Sequence, residues 1–374
     1  MSDLNKNDYY DLDGGGIIYP YLANGHWNHQ FRTEVELDAP VDVPRIRRAL
    51  EIIRPRFPSF FVVLAKHKGA YVLKKTDKLP EVVPEVGLCR TFDLKSEEHS
   101  LFRITYAGNR LGMEIFHSLS DGAGANVLFI NMLAEYYALA GEDIPRDHDV
   151  FRHGGGYEQA DTEDSFKRVY REEGGKPHNR SEKNAWQYNG GKADTDLHLT
   201  IFELPFAQLR EKYKSYDTSL TVFLAALYTK ALARVCLAEG GSERDNIKIE
   251  IPMNLRGRFN STTLRNFSLY FDTCVTADCS EKSVAEIIGQ LRPQFAEGTS
   301  VDKLRDDIYT NVSQGEMKIF KALPVPLKKA ILRIGSAFYG ENLFTTPLSN
   351  VGIFDLPPEI ARHVTAADMM ISST

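Results

Sequence analysis

The 374-residue sequence predicts an α/β protein, an α+β sandwich of two lobes with mixed sheets. In both halves, strand-length segments with period-2 alternation recur between long apolar helices. A Gly-rich, charged stretch poor in aliphatic residues lies between the halves. The composition, 43% hydrophobic and 26% charged, is that of a globular chain able to bury a substantial core. The division expected is an N-terminal lobe over residues 1–151, a flexible crossover over 152–197 and a C-terminal lobe over 198–374.

In the first lobe, Phe31, Thr33, Val35 and Leu37 alternate as a strand. Val43 to Arg54 reads as a helix, with Asp42 as its N-cap and Pro55 at its end. Two hairpins follow, Phe60–Lys66 with Ala70–Lys75 and Leu101–Tyr106 with Leu111–Phe116, the second turning at Gly108-Asn109. An apolar helix then runs from Gly122 to Ala140 and stops at Gly141. The crossover holds one short helix, Ser165 to Glu172. The second lobe opens with a strand from His198 to Leu204 and helices over Phe206–Tyr213 and Ser219–Glu239. Strands at Ile247–Pro252 and Phe267–Thr276 and a helix at Val284–Phe295 come next. After a polar stretch, a helical region with Pro324 and Pro326 reaches Ala337, and late strands fall at Leu348–Phe354 and Val364–Met370. The sequence stops at Ser-Ser-Thr directly after a strand, so the second lobe is expected to lack its final elements.

A net charge of −6, from 45 Lys+Arg against 51 Asp+Glu, argues against a nucleic-acid partner. Cys89, Cys236, Cys274 and Cys279 are too dispersed for a disulfide framework, and no CxxC pair suggests structural zinc. No apolar run is long enough for a membrane span, and the polar, acidic N-terminus lacks the features of a signal peptide. The expected location is the cytoplasm, where the sequons at Asn260, Asn266 and Asn311 carry no sugar. His26-Trp27-Asn28-His29 lacks carboxylates for a metal site. The glycine runs Gly14–Gly16 and Gly154–Gly156 lack a phosphate-loop ending and read as flexible connectors. Lys328-Lys329 reads as a solvated helix face rather than a phosphate contact.

The stretch that carries chemistry is His117-Ser118-Leu119-Ser120-Asp121-Gly122. A strand delivers His117 at its end, four residues turn, and Asp121-Gly122 starts a long helix. A histidine so placed can enter a cleft and take a proton from a hydroxyl or amine. The same residues also fit a plain helix start, with Asp121 as N-cap and His117 as a strand-end side chain. On the residues alone both readings stand.

The HxxxDG pattern at a strand-to-helix turn resembles the chloramphenicol acetyltransferase-like superfamily, most of all its bacterial alcohol acetyltransferase and polyketide-associated members. The likeness extends to YYDLDGGGIIYP, Arg56-Phe57-Pro58-Ser59-Phe60, LFRITYAGNRLGMEIFHSLSDGAG, IPMNLRGRF and PLSNVG. It implies an acyltransferase with an active-site tunnel between two lobes. His117 would be the general base that lets an acceptor attack an acyl thioester. Asp121 would form a structural ion pair with Arg256, and Gly122 would allow close approach at the helix start. Ser349 and Asn350 would lie in the oxyanion or substrate region. No metal and no permanently bound cofactor is implied: acyl-CoA or an acyl carrier protein would be the co-substrate, and a small-molecule hydroxyl or amine the acceptor. Phe116 stands where condensation domains usually carry a first histidine, which favours a free-standing acyltransferase. The alternative is a non-catalytic or carrier-protein-docking member of the same fold, condensation-domain-like. No GxSxG elbow supports a serine-hydrolase route.

Overall fold

The structure, a computed structural model, describes residues 4–24, 28–146, 158–177, 184–189, 199–316, 323–339 and 343–372. Its first half contains β1 (Tyr9–Asp11), α1 (Tyr19–Leu22), β2 (Gln30–Leu37), α2 (Val43–Ile53), β3 (Val62–His67), β4 (Ala70–Lys75), β5 (Glu81–Pro84), β6 (Phe102–Ala107), β7 (Arg110–Phe116) and α3 (Gly122–Ala138). Helix α2 forms as its sequence dictates. Asp42 accepts a hydrogen bond from the Arg45 amide, and Ile46, Ala49, Leu50 and Ile53 make one buried stripe. The β3–β4 turn places both Lys68 and Gly69 at positive φ, as a two-residue hairpin turn of this hand requires.

After the crossover come α4 (Ser165–Glu172), α5 (Phe206–Ser215), α6 (Leu220–Ala238), β8 (Asn246–Asn254), β9 (Ser268–Thr276), α7 (Val284–Gly298), α8 (Val301–Glu316), α9 (Val325–Tyr339), β10 (Thr346–Pro347), α10 (Pro358–Ala361) and β11 (Val364–Ile371). A five-stranded sheet has the order β11-β2-β7-β6-β5, a second runs β10-β8-β9, and a third runs β1-β4-β3. The first two are mixed: β5 pairs parallel with β6 and β10 parallel with β8, while the remaining pairs are antiparallel. One face of the five-stranded sheet, with Phe31, Val35, Phe102, Met113 and Ile115, packs into the large core with α2 and α3. Its other face buries Arg32 and Arg103 against Glu114, each as a side-chain ion pair.

Several expectations are corrected here. Strand β11 lies antiparallel against β2, with Ile371 opposite Phe31, and so extends the five-stranded sheet built from the first half of the chain. Residues 199–204 form no strand, and Leu199, Ile201, Phe202 and Leu204 are exposed; His198 lies outside the described residues. The expected strand Leu348–Phe354 does not form; the pairing with β8 lies just before it, at Thr346–Pro347 opposite Ile249 and Glu250. The polar stretch after Phe295 holds helix α8, whose buried Leu304, Ile308 and Val312 recur every fourth residue and pack on Phe166 and Phe267. Lys328 is buried and donates to the carbonyl of Gly69 at 3.0 Å, so it is not a solvated face. Gly14–Gly16 is not a flexible connector either. A Cβ on Gly14 would come within 2.9 Å of the Phe166 side chain, and one on Gly16 within 2.8 Å of the Ser118 carbonyl.

Gly154–Gly156 and much of the 152–197 crossover lie outside the described residues. Within it, α4 spans the residues expected, with Phe166 and Val169 buried. Helix α6 is, among the described residues, the helix long and apolar enough to cross a membrane, and it buries Ala225, Ala226, Ala233 and Cys236 against β8 and α7.

Candidate active site

The turn that follows β7 is tied down on both sides. His117 donates its amide to the carbonyl of His29 at 2.9 Å. Ser118 Oγ donates to the Gly16 carbonyl at 2.9 Å, and Ser120 Oγ to the Leu264 carbonyl at 2.6 Å. The turn is thus held between the loop after β1 and the segment leading into β9.

Asp121 combines two tasks. Its Oδ1 accepts from the Gly124 amide at 3.0 Å, capping α3. Both carboxylate oxygens also meet Arg256, Oδ2 at 3.0 Å and Oδ1 at 2.9 Å, and Oδ2 accepts from the Phe267 amide at 2.8 Å. Arg256 also donates to the carbonyls of Thr263 and Arg265, each at 2.7 Å, and to Asn254 Oδ1 at 3.1 Å. The carboxylate therefore points away from the imidazole and into the junction of the two halves. A Cβ on Gly122 would sit 2.6 Å from the Met369 Cε of β11, so that position has no room for a side chain unless Met369 moves.

The His117 ring lies among aromatic neighbours. Tyr19 stacks on it at 4.7 Å between centroids, and Phe31 meets it edge-on at 5.2 Å. Nδ1 lies 3.1 Å from Asn266 Oδ1, while Nε2 has no hydrogen-bond partner among the described residues. The residue keeps a partly exposed face, yet burial holds its pKa below the ordinary imidazole value. Its own carbonyl, the Asp121 charge and Asn266 pull the other way. The neutral ring is therefore the resting form at neutral pH, which is what proton removal needs.

Behind His117 stands a group of residues whose association with it pattern reading missed. Asn266, noticed only as a sequon, donates its backbone amide and its Nδ2 to Asp13 Oδ2 at 3.3 and 3.4 Å. Asp13 is fully buried and burial pushes its pKa up to about 6, against the pull of Arg265. His29 is buried with neither ring nitrogen bonded among the described residues, and burial pushes its pKa down to about 4. The one sequence signal for this group is an acidic residue directly before three glycines, in Asp13-Gly14-Gly15-Gly16.

Ser349 and Asn350 are exposed. Asn350 Nδ2 donates to Thr221 Oγ1 at 2.9 Å, and among the described residues no hydrogen bond joins either residue to His117, Asp121 or Arg256. His26 and Trp27 lie outside the described residues.

Comparison with solved structures gives matches along nearly the whole chain. TRI101 of F. sporotrichioides, complexed with coenzyme A and T-2, superposes with a TM-score of 0.62 at 13% identity, over 96% of this chain and 88% of that one. TRI101 of F. graminearum, complexed with coenzyme A and deoxynivalenol, also gives 0.62, at 12% identity over 98% and 90%. This chain has the chloramphenicol acetyltransferase-like fold. Polyketide synthase associated protein 5 from Mycobacterium tuberculosis matches at 0.52 and 15% identity, over 96% of this chain and 86% of that one. At such identities the likeness concerns fold. No protein-family model matches the chain, and neither does any curated protein.

Proposed function

We propose that this protein is an acyltransferase that moves an acyl group from a thioester, acyl-CoA or an acyl carrier protein, to a hydroxyl or amine of a small molecule in the cytoplasm. The observation that carries the reading is the neutral His117, with Nδ1 facing Asn266 Oδ1 and Nε2 unengaged at a partly exposed face. The fold shared with proteins solved in complex with coenzyme A supports a coenzyme A thioester as donor. The shared fold of a polyketide synthase associated protein supports a carrier-bound thioester equally.

In this reading Nε2 of His117 removes the acceptor proton as the acceptor oxygen or nitrogen bonds to the thioester carbonyl carbon. The carbonyl π electrons move onto oxygen, giving a tetrahedral oxyanion. Its collapse breaks the carbon–sulfur bond, and the leaving thiolate takes the proton from the imidazolium. Atoms and charge balance without an acyl-enzyme, metal or redox step. Positioning of both substrates in a tunnel between the lobes would supply much of the rate. Asp121, Gly122 and Arg256 set the turn that presents His117. Ser349 and Asn350 remain the candidates for the oxyanion region, with one amide hydrogen of Asn350 spent on Thr221.

The test is thiol release from a panel of acyl-CoAs and acyl carrier proteins with mixed alcohol and amine acceptors, for the wild type and His117→Ala side by side. Release that vanishes in a folded His117→Ala is the expected result. Equal release from both proteins overturns the general-base assignment. No release from any donor shifts the assignment to a non-catalytic docking member of the fold.

A further inference from the structure

We infer that Asn266, held in place by Asp13, is a positioning residue that keeps the His117 proton on Nδ1 and so leaves Nε2 as the nitrogen that reacts. The inference rests on the general-base reading of His117 and deepens it.

An asparagine amide can present either end to a neighbour, and here the surroundings choose. Asp13 Oδ1 is taken by the Gly16 amide at 2.6 Å, and its Oδ2 faces both the backbone amide and the Nδ2 of Asn266. An ionised carboxylate only accepts, so Nδ2 must face Asp13 and Oδ1 must face the histidine. A carbonyl oxygen on Nδ1 demands a proton there, which in the neutral ring empties Nε2. Asn266 itself is buried, so water does not compete for the bond.

The three glycines make this approach possible. A Cβ on Gly15 would lie 2.9 Å from Asn266 Cβ, and one on Gly16 would lie 3.0 Å from Asn266 Nδ2. The bond links residues 149 apart in sequence, from the end of β7 to the segment before β9. The reactive tautomer is thereby tied to correct docking of the two halves.

The charged and titratable groups around the pair come from every packed element. Asp121 at the start of α3 and the His117 carbonyl act on the ring, and His29 before β2 and Tyr19 of α1 flank it. Arg265 and Asp164 face Asp13, and Arg256 sits on the far side of Asp121. The His117 carbonyl also favours the protonated ring, so the contribution of Asn266 must be separated from it by experiment.

That experiment is ¹⁵N NMR of the histidine side chains in the wild type and Asn266→Ala, with kcat and KM measured on whichever thioester the wild type uses. The wild type is expected to show His117 as the Nδ1-protonated tautomer. Asn266→Ala is expected to mix the tautomers, to move the His117 titration to lower pH, and to lower kcat roughly 10- to 100-fold with little change in KM. An Nε2-protonated His117 in the wild type overturns the inference, and so does a folded Asn266→Ala with unchanged tautomer and unchanged kcat. If Asn266→Ala fails to fold, Asn266→Ser, whose shorter side chain cannot span the distance to Nδ1, takes its place, and an unchanged tautomer and kcat in that folded variant overturn the inference. A protein that transfers no acyl group would sink the functional reading, while the tautomer readout would still stand or fall by itself.

Discussion

Arg256 grips Asp121 with both terminal nitrogens of its guanidinium, although 135 residues separate them in sequence. Both side chains are largely buried, so each one's charge depends on the other for compensation. Arg256→Ala should lower stability by about 3 kcal/mol. Asp121→Ala should cost more, since it also removes the α3 cap and leaves the Phe267 amide without its acceptor. Urea denaturation of the two variants checks this, and midpoints equal to the wild type would show that the pair contributes nothing net.

The depressed pKa of His117 sets the acid limb of activity. Burial is the leading cause of the shift, and the neutral base persists below the ordinary imidazole value of about 6.5. The kcat/KM profile should therefore stay flat through neutral pH and fall only on the acid side of about 6.5. A profile that already falls at pH 7.5 would contradict the buried environment described for the ring.

His29 should make the protein acid-sensitive for a different reason. Its pKa is pushed down to about 4 by burial, from 6.5 in the unfolded chain, so between these values the unfolded state binds the extra proton. Stability is complete above about 6.5 and is lost as the pH falls towards 4, by about 3 kcal/mol at the end of that window. Asp13, pushed up to about 6, acts in the opposite sense, losing stability as pH rises through the same range. The comparison must therefore be with His29→Asn, which suits the backbone φ of 47° and removes the titration. Equal acid losses in both proteins would rule out His29 as the source.

The helical glycines divide into two classes. A Cβ on Gly124 would fall 2.1 Å from the Leu264 carbonyl, a backbone atom that cannot swing away, so Gly124→Ala should destabilise by about 3 kcal/mol or more. Gly289, exposed within α7, has open space around it. Gly289→Ala should stabilise by about 0.5–1 kcal/mol through helix propensity alone. Thermal melts of the two variants shifting in the same direction would contradict this.

What the sequence revealed of this fold follows how local the determining contacts are. Helix α2 announces itself because its one buried stripe leaves a helical period, α3 and α6 because they are apolar over most of their length. Strands β2, β6 and β7 do so because apolar side chains on the core-facing side alternate with polar ones on the other. Helix α8 does not, since Asp302, Lys303, Arg305, Asp306 and Asp307 crowd around a single narrow stripe of Leu304, Ile308 and Val312. Residues 199–204 alternate like a strand, yet strand pairing needs a partner that the segment's own pattern cannot supply. The same divide runs through the site. His117, Asp121 and Gly122 are neighbours in sequence and form a visible motif. Asn266 and Asp13 reach His117 through contacts spanning most of the chain, and no short pattern encodes those.

Strand β11 adds itself to β2 with Ile371 opposite Phe31, one near each end of the described chain. Because β2 precedes β11 in the chain, the first sheet carries a bare edge with unpaired amides and carbonyls until β11 is made and docks. Closure of that edge is a pairing of high sequence separation, the kind of contact that forms late in folding. Until β11 docks, the β2 edge is a ready template for pairing with another chain, so the β11–β2 ladder also guards the first sheet against edge-to-edge association.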